Sequence, residues 1–181
     1  MTISPAEGII LQPQSSEIQV ALQRGRAAAE NRTPPDRLYA WFGSDDDLEP
    51  RGFLMTKMVG LTVMSAHFAL RSQTPGESDI QQILHEPTML VSVTIFGDNP
   101  SFAVDSYMLL IQAGRTIKPV RVRFDGQAAR TSVWPKSPAY RAKVVAAFSY
   151  ADIDLHGKAV LSVFPGHGGE HQFDLDLAKI D

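Results

Sequence analysis

The stretch from Val160 to Leu177, VLSVFPGHGGEHQFDLDL, decides how the fold is interpreted. Its last part alternates apolar with polar residues, the period-two pattern of a strand with one buried face. A proline and three glycines lie before it and supply the backbone geometry of a tight turn. The stretch therefore predicts a β-hairpin with strands over 158–164 and 171–180. The residues expected to face the core are Phe173, Leu175 and Leu177.

The same stretch holds residue types that bind metals, namely His167, Glu170 and His171. Residues four apart on an extended strand are separated by about 13 Å. Two nitrogens that bind one zinc ion must approach to roughly 4 Å. Only a curled loop would bring these side chains together, so the preferred interpretation is two exposed histidines at a turn, with no metal or cofactor. A metal-dependent hydrolase centred on the three residues is the alternative.

Size and composition limit the classes of protein. With 181 residues, 44% of them apolar and 20% charged, the chain has the length and composition of one globular domain. The net charge of −3 gives no field for nucleic acid, and the absence of cysteine excludes disulfides and thiolate chemistry. No apolar run approaches the roughly 20 residues of a membrane span.

The N-terminal part has helical signals. After an arm over 1–14, serine caps and the segment RAAAE predict a helix over 16–31 that ends before Pro34. Gly25 lies inside it, at a cost of about 1 kcal/mol relative to alanine. The pattern further predicts a helical turn over 36–42, strands over 53–58 and 61–71, and a short helix at SDIQQILHE (78–86).

Clearer strands follow, and we expect them over 88–96, 106–112, 116–124 and 140–153. In the third, Val120, Val122 and Phe124 are expected to face the core and Arg121 and Arg123 the solvent. The carboxylate pairs Asp152/Asp154 and Asp174/Asp176 each lie on one face of a strand. They are interpreted as ion-pair partners for Arg121 and Arg123, with calcium binding as the alternative.

Two aromatic residues, Trp134 and Tyr140, flank a proline-rich loop, SVWPKSPAY. Such residues form a recognition surface for peptide or sugar, or they cap the core. The cap is preferred. A carbohydrate-binding module is the alternative, and it requires both rings on one flat exposed face.

Short strands with glycine and proline turns predict a mainly β protein: an antiparallel β-sandwich with an N-terminal helical segment. A closed barrel is the alternative. We assign residues 1–52 to the arm and helix and residues 53–181 to the sandwich. The phosphate-binding and nucleophile-elbow motifs are absent, which favours a non-catalytic protein with no catalytic residues assigned.

The segments TMLVSVTIF, SYMLLIQAGRTIKPVRVRF and YRAKVVAAFSYADI, with the final hairpin, resemble the immunoglobulin-like β-sandwich domains of bacterial envelope proteins and lipoproteins. The likeness covers residues 88–181 and lacks the cysteine pair and core tryptophan of antibody-type domains. It implies a scaffolding or binding module whose partner is another envelope protein. An extracytoplasmic location is expected for a processed chain, and a cytoplasmic one if Met1 is the native start.

Overall fold

The computed structural model describes residues 8–180. The helices are α1 Ser15–Glu30, α2 Lys57–Leu70 and α3 Glu77–Leu84, and single 3₁₀ turns lie at Pro35–Leu38, Tyr150–Asp152 and Leu177–Lys179. Within this part of the chain, no helix has the length and apolar character needed to cross a membrane.

Ten strands form the sheets. They are β1 Ala40–Gly43, β2 Arg51–Met55, β3 Thr88–Gly97, β4 Tyr107–Gln112, β5 Arg115–Ile117, β6 Arg121–Phe124, β7 Ala129–Arg130, β8 Tyr140–Ser149, β9 Lys158–Phe164 and β10 His171–Asp176. All pairings are antiparallel. The first sheet has the order β1-β2-β3-β8-β6, with β7 also beside β8, and the second has the order β10-β9-β4-β5. The prediction of mainly antiparallel sheets with an N-terminal helix is confirmed.

Both sheets contribute to one buried hydrophobic cluster. The first supplies residues such as Val91, Val144 and Phe148, and the second supplies Leu110, Leu161 and Phe173. Phe42 and Phe173 meet edge to face with ring centroids 5.1 Å apart, which joins the sheets at one corner. The predicted pairing of the final hairpin is confirmed, since β9 pairs with β10 and the expected core residues Phe173, Leu175 and Leu177 are buried. The second strand, predicted over 171–180, ends at Asp176, and Leu177 begins a 3₁₀ turn.

The strand predicted over 61–71 is wrong, because these residues belong to helix α2. Thr56 starts the helix by accepting a hydrogen bond from the Val59 amide at 3.1 Å. The buried residues of α2 lie on several sides of it, among them Val59, Leu61 and Val63. A helix buried on several sides lacks one clear apolar stripe, so its apolar residues also fit a strand pattern.

Helices α1 and α2 pack closely where α1 has a glycine. A Cβ atom placed on Gly25 would lie only 2.1 Å from the Thr62 carbonyl oxygen of α2. Nearby, the Ser65 hydroxyl donates to the Leu22 carbonyl oxygen at 2.6 Å. The glycine that appeared unfavourable within α1 therefore allows the two backbones to approach.

The strand predicted over 116–124 is divided between the two sheets. Its first part is β5, in the second sheet, and its last part is β6, in the first. Pro119 lies at the crossing, where a residue without an N–H group breaks the ladder. Val120 and Phe124, expected in the core, are 63% and 37% exposed.

Smaller differences occur at element ends. The turn predicted over 36–42 is a 3₁₀ helix followed by β1, and the strand predicted over 140–153 ends at Ser149. Of the arm predicted over 1–14, residues 1–7 lie outside the described residues, whereas Ile9 is buried in the core.

Candidate functional site

The hairpin that carries His167, Glu170 and His171 places these three side chains in different environments. His167 is exposed in the turn, which closes with a hydrogen bond from Gly168 N–H to the Pro165 carbonyl oxygen at 3.0 Å. Glu170 accepts a hydrogen bond from the Gln172 amide at 2.8 Å, and this bond lowers the pKa of the Glu170 carboxyl. His171 is half-buried at the start of β10, so burial lowers the pKa of its imidazole.

Across residues 8–180, no group of three or more histidine, aspartate or glutamate side chains is arranged to hold a metal ion. The geometry therefore gives no support to a hydrolase centred on His167, Glu170 and His171. It also gives none to a calcium site at either aspartate pair. Asp152 lies in a 3₁₀ turn rather than a strand.

The two aromatic residues of the proline-rich loop lie in different surroundings. Trp134 is 42% exposed, and the Arg130 guanidinium stacks 4.0 Å from its ring centroid. Tyr140 begins β8 and packs against the hydrophobic cluster. The loop is held by Asp98, whose carboxylate accepts from the Ala139 amide at 2.9 Å and the Ser137 hydroxyl at 2.8 Å. These bonds lower the pKa of the Asp98 carboxyl.

A lysine that sequence reasoning missed lies where the helices meet the sheets. The Lys57 ammonium donates a hydrogen bond to the Leu84 carbonyl oxygen at the end of α3. It also lies 5.6 Å from the ring centroid of Tyr150, which follows β8. Burial lowers the pKa of Lys57, and Glu86 opposes this shift. Burial likewise raises the pKa of the Tyr150 hydroxyl.

Lys57 lies on the wall of a cavity of about 220 Å³. Apolar side chains line much of it, including those of Met55, Ile83 and Leu90. Because the ammonium already bonds to a carbonyl and faces a ring, its contacts serve to fasten α3 and Tyr150 to the start of α2. No sequence motif surrounds Lys57. The sequence predicts strands over 53–58 and 61–71, so it does not indicate that Lys57 lies at the start of a helix.

The free edge of β6 is the other feature with binding chemistry. Asp125 N–H donates to the Lys143 carbonyl oxygen of β8 at 3.0 Å. In the same ladder, the residues of β6 whose backbone groups bond to β8 are Arg121 and Arg123. Backbone groups alternate in direction along a strand, so those of Val122 and Phe124 point away from β8. Within residues 8–180, the order of the first sheet ends at β6.

The side chains along this edge are cationic on one face and apolar on the other. Arg121 and Arg123 are exposed and point outward, while Val122 packs against the hydrophobic cluster. The expected ion pairs of these arginines with Asp174 and Asp176 do not form within the chain, because β6 and β10 are edges of different sheets. Pro119 was the sequence signal for this division.

Comparisons with protein-family models, with curated proteins and with solved structures find no match to this chain. What the protein does must therefore be inferred from the geometry of its own residues.

Proposed function

We propose that this chain is a non-catalytic protein-binding or scaffolding module, built as an immunoglobulin-like β-sandwich, that binds an extended partner segment along β6. The observation that carries this proposal is the free edge of β6, with outward backbone groups at Val122 and Phe124. An extended peptide adds to such an edge through main-chain hydrogen bonds, and its side chains supply selectivity. Two antiparallel sheets around one buried cluster support the sandwich assignment.

The charge of this edge defines the partner. Arg121 and Arg123 face outward on β6, and Lys143 is exposed on the adjacent β8. Cross-strand pairs of opposite charge stabilise a sheet, and like charges oppose pairing. The partner strand should therefore alternate acidic with apolar residues, its acidic residues on the outer face.

Proline substitution tests strand addition directly. A fluorescent synthetic peptide of alternating aspartate and leucine should bind the wild-type chain, with affinity measured by fluorescence anisotropy. Val122→Pro removes an N–H group that β8 does not use, and proline is tolerated where an edge N–H faces solvent. We expect Val122→Pro to abolish binding and the matched Val122→Thr to retain it.

Circular dichroism and thermal unfolding establish that both variants remain folded. Equal peptide affinity in a folded Val122→Pro variant would refute strand addition at β6. Arg121→Asp/Arg123→Asp provides a second route, since it should weaken binding without removing any backbone donor. We further propose that the module is associated with the bacterial envelope, as the resemblance of residues 88–181 implies. Fractionation of cells of the source organism tests this separately, and a purely cytoplasmic chain would contradict it.

A further inference from the structure

The second sheet ends in an edge whose charge is opposite to that of β6. Leu177 N–H donates to the Gly157 carbonyl oxygen at 3.1 Å, continuing the β9–β10 ladder. In this ladder Phe173 and Leu175 direct their backbone groups towards β9. Those of Asp174 and Asp176 therefore point towards the other side, where no strand of the described part of the chain is hydrogen-bonded to β10. Strand β1 of the first sheet meets β10 through the Phe42 and Phe173 side chains, which lie on the core side.

We propose that the partner strand for β6 is β10 of a second copy of this chain. This inference rests on the proposed function, because it names the occupant of the same edge. Along β6, the sequence Arg121-Val122-Arg123 alternates outward cations with an inward apolar residue. Along β10, Asp174-Leu175-Asp176 alternates carboxylates with a buried leucine in the same way.

Backbone direction determines how the two edges would join. On β6, Arg121 and Arg123 have outward side chains, and their backbone groups bond to β8. On β10, Asp174 and Asp176 also have outward side chains, but their backbone groups point towards the free edge. For a given strand direction, an outward residue directs its backbone groups to one fixed side. The two free edges therefore meet with their outer faces continuous only when the strands run parallel.

Parallel pairing also gives one register in which both cations meet carboxylates. Arg121 would lie beside Asp174 and Arg123 beside Asp176. Between them, Val122 N–H would donate to the Asp174 carbonyl oxygen, and Asp176 N–H would donate to the Val122 carbonyl oxygen. Asp176 also forms an ion pair with Lys179 of its own chain at 3.3 Å, so it contributes less charge to the contact than exposed Asp174.

The charges select the combination of edges. Two β6 edges would place arginine beside arginine, and two β10 edges would place aspartate beside aspartate, so only the mixed pairing is attractive. Each copy has one edge of each kind, so a pair joined by one contact still has a free β10 on one copy and a free β6 on the other. Such a head-to-tail contact forms open chains unless its rotation closes a ring.

Charge reversal and mixing test this arrangement on the full chain. Sedimentation velocity over rising protein concentration should show self-association that weakens as salt increases. Arg121→Asp/Arg123→Asp alone, and Asp174→Arg/Asp176→Arg alone, should each weaken it by at least about tenfold, because every contact then joins like charges. An equimolar mixture of the two variants should associate again, because β6 of one variant then meets the oppositely charged β10 of the other.

The outcomes separate this inference from the proposed function. Peptide binding at β6 by a chain that stays monomeric at low salt would overturn the inference and leave the proposed function standing. Self-association that charge reversal leaves unchanged, or that the mixture does not restore, would assign the contact to another surface and also overturn it. Loss of peptide binding and of association together in folded Val122→Pro, with both kept in Val122→Thr, would support both proposals.

Discussion

The helical pair α1–α2 and the buried core of the two sheets achieve close packing in opposite ways. The helices meet through a residue without a side chain, Gly25, and through small residues such as Ser65 and Ala66. The sheets meet through large side chains, among which Phe148 is the largest that is fully buried. An atom added at the helical interface should therefore lower stability, and so should atoms removed from the core between the sheets.

Phe148→Ala should have the largest effect on stability. Phe148 is 0% exposed on β8, so truncation removes buried apolar surface and leaves a cavity between the sheets. Such substitutions lower the free energy of unfolding by about 3–5 kcal/mol. Urea unfolding followed by circular dichroism measures the change. Phe124→Ala is the matched control, and a similar loss in both would contradict the assigned core.

Gly25→Ala tests the opposite interface, and here sequence and structure predict different signs. Helix propensity alone predicts a gain of about 1 kcal/mol. The contact with the Thr62 carbonyl oxygen forces α1 and α2 apart, and overpacking of this kind costs about 1–3 kcal/mol. We expect a net loss of stability in urea unfolding.

Gly60→Ala is the helical control for this comparison. A Cβ atom at Gly60 would meet the Ile83 side chain at 3.3 Å, and a side chain moves more readily than a backbone carbonyl. Gly60→Ala should therefore cost less than Gly25→Ala. A stabilised Gly25→Ala variant would show that the helices do not pack as described.

The same contrast explains how much the sequence predicted. The pairing of the final hairpin was predicted correctly because β10 has one solvent-exposed face and one buried face. Polar and apolar residues therefore alternate along its sequence. Helix α2 was misassigned because it is covered on several sides, and only the fold reveals which neighbours cover it. Pro119 is a local sequence signal for the division of the strand predicted over 116–124 between the two sheets. The environment of Lys57 has no such signal, because it is formed by α3 and Tyr150, which are distant in the chain.

Lys57→Met probes the point where the two regions join, and its effect should be the smallest. The substitution removes the donor to Leu84 while keeping an apolar stem of similar length. Because burial lowers the pKa of Lys57 below 10.5, the unfolded chain holds this proton to higher pH than the folded chain does. Wild-type stability should therefore rise relative to Lys57→Met as pH increases from neutrality towards 10.5.

Urea unfolding of both proteins along this pH range measures the difference. The pKa of Tyr150 is raised in the folded chain, so its ionisation in the unfolded chain destabilises both proteins at the alkaline end. The comparison with Lys57→Met removes most of that contribution, and Lys143→Met controls for loss of one exposed charge. A wild-type advantage that shrinks as pH rises would show that Lys57 is stabilised in its charged form. Its contacts with Leu84 and Tyr150 would then outweigh its burial.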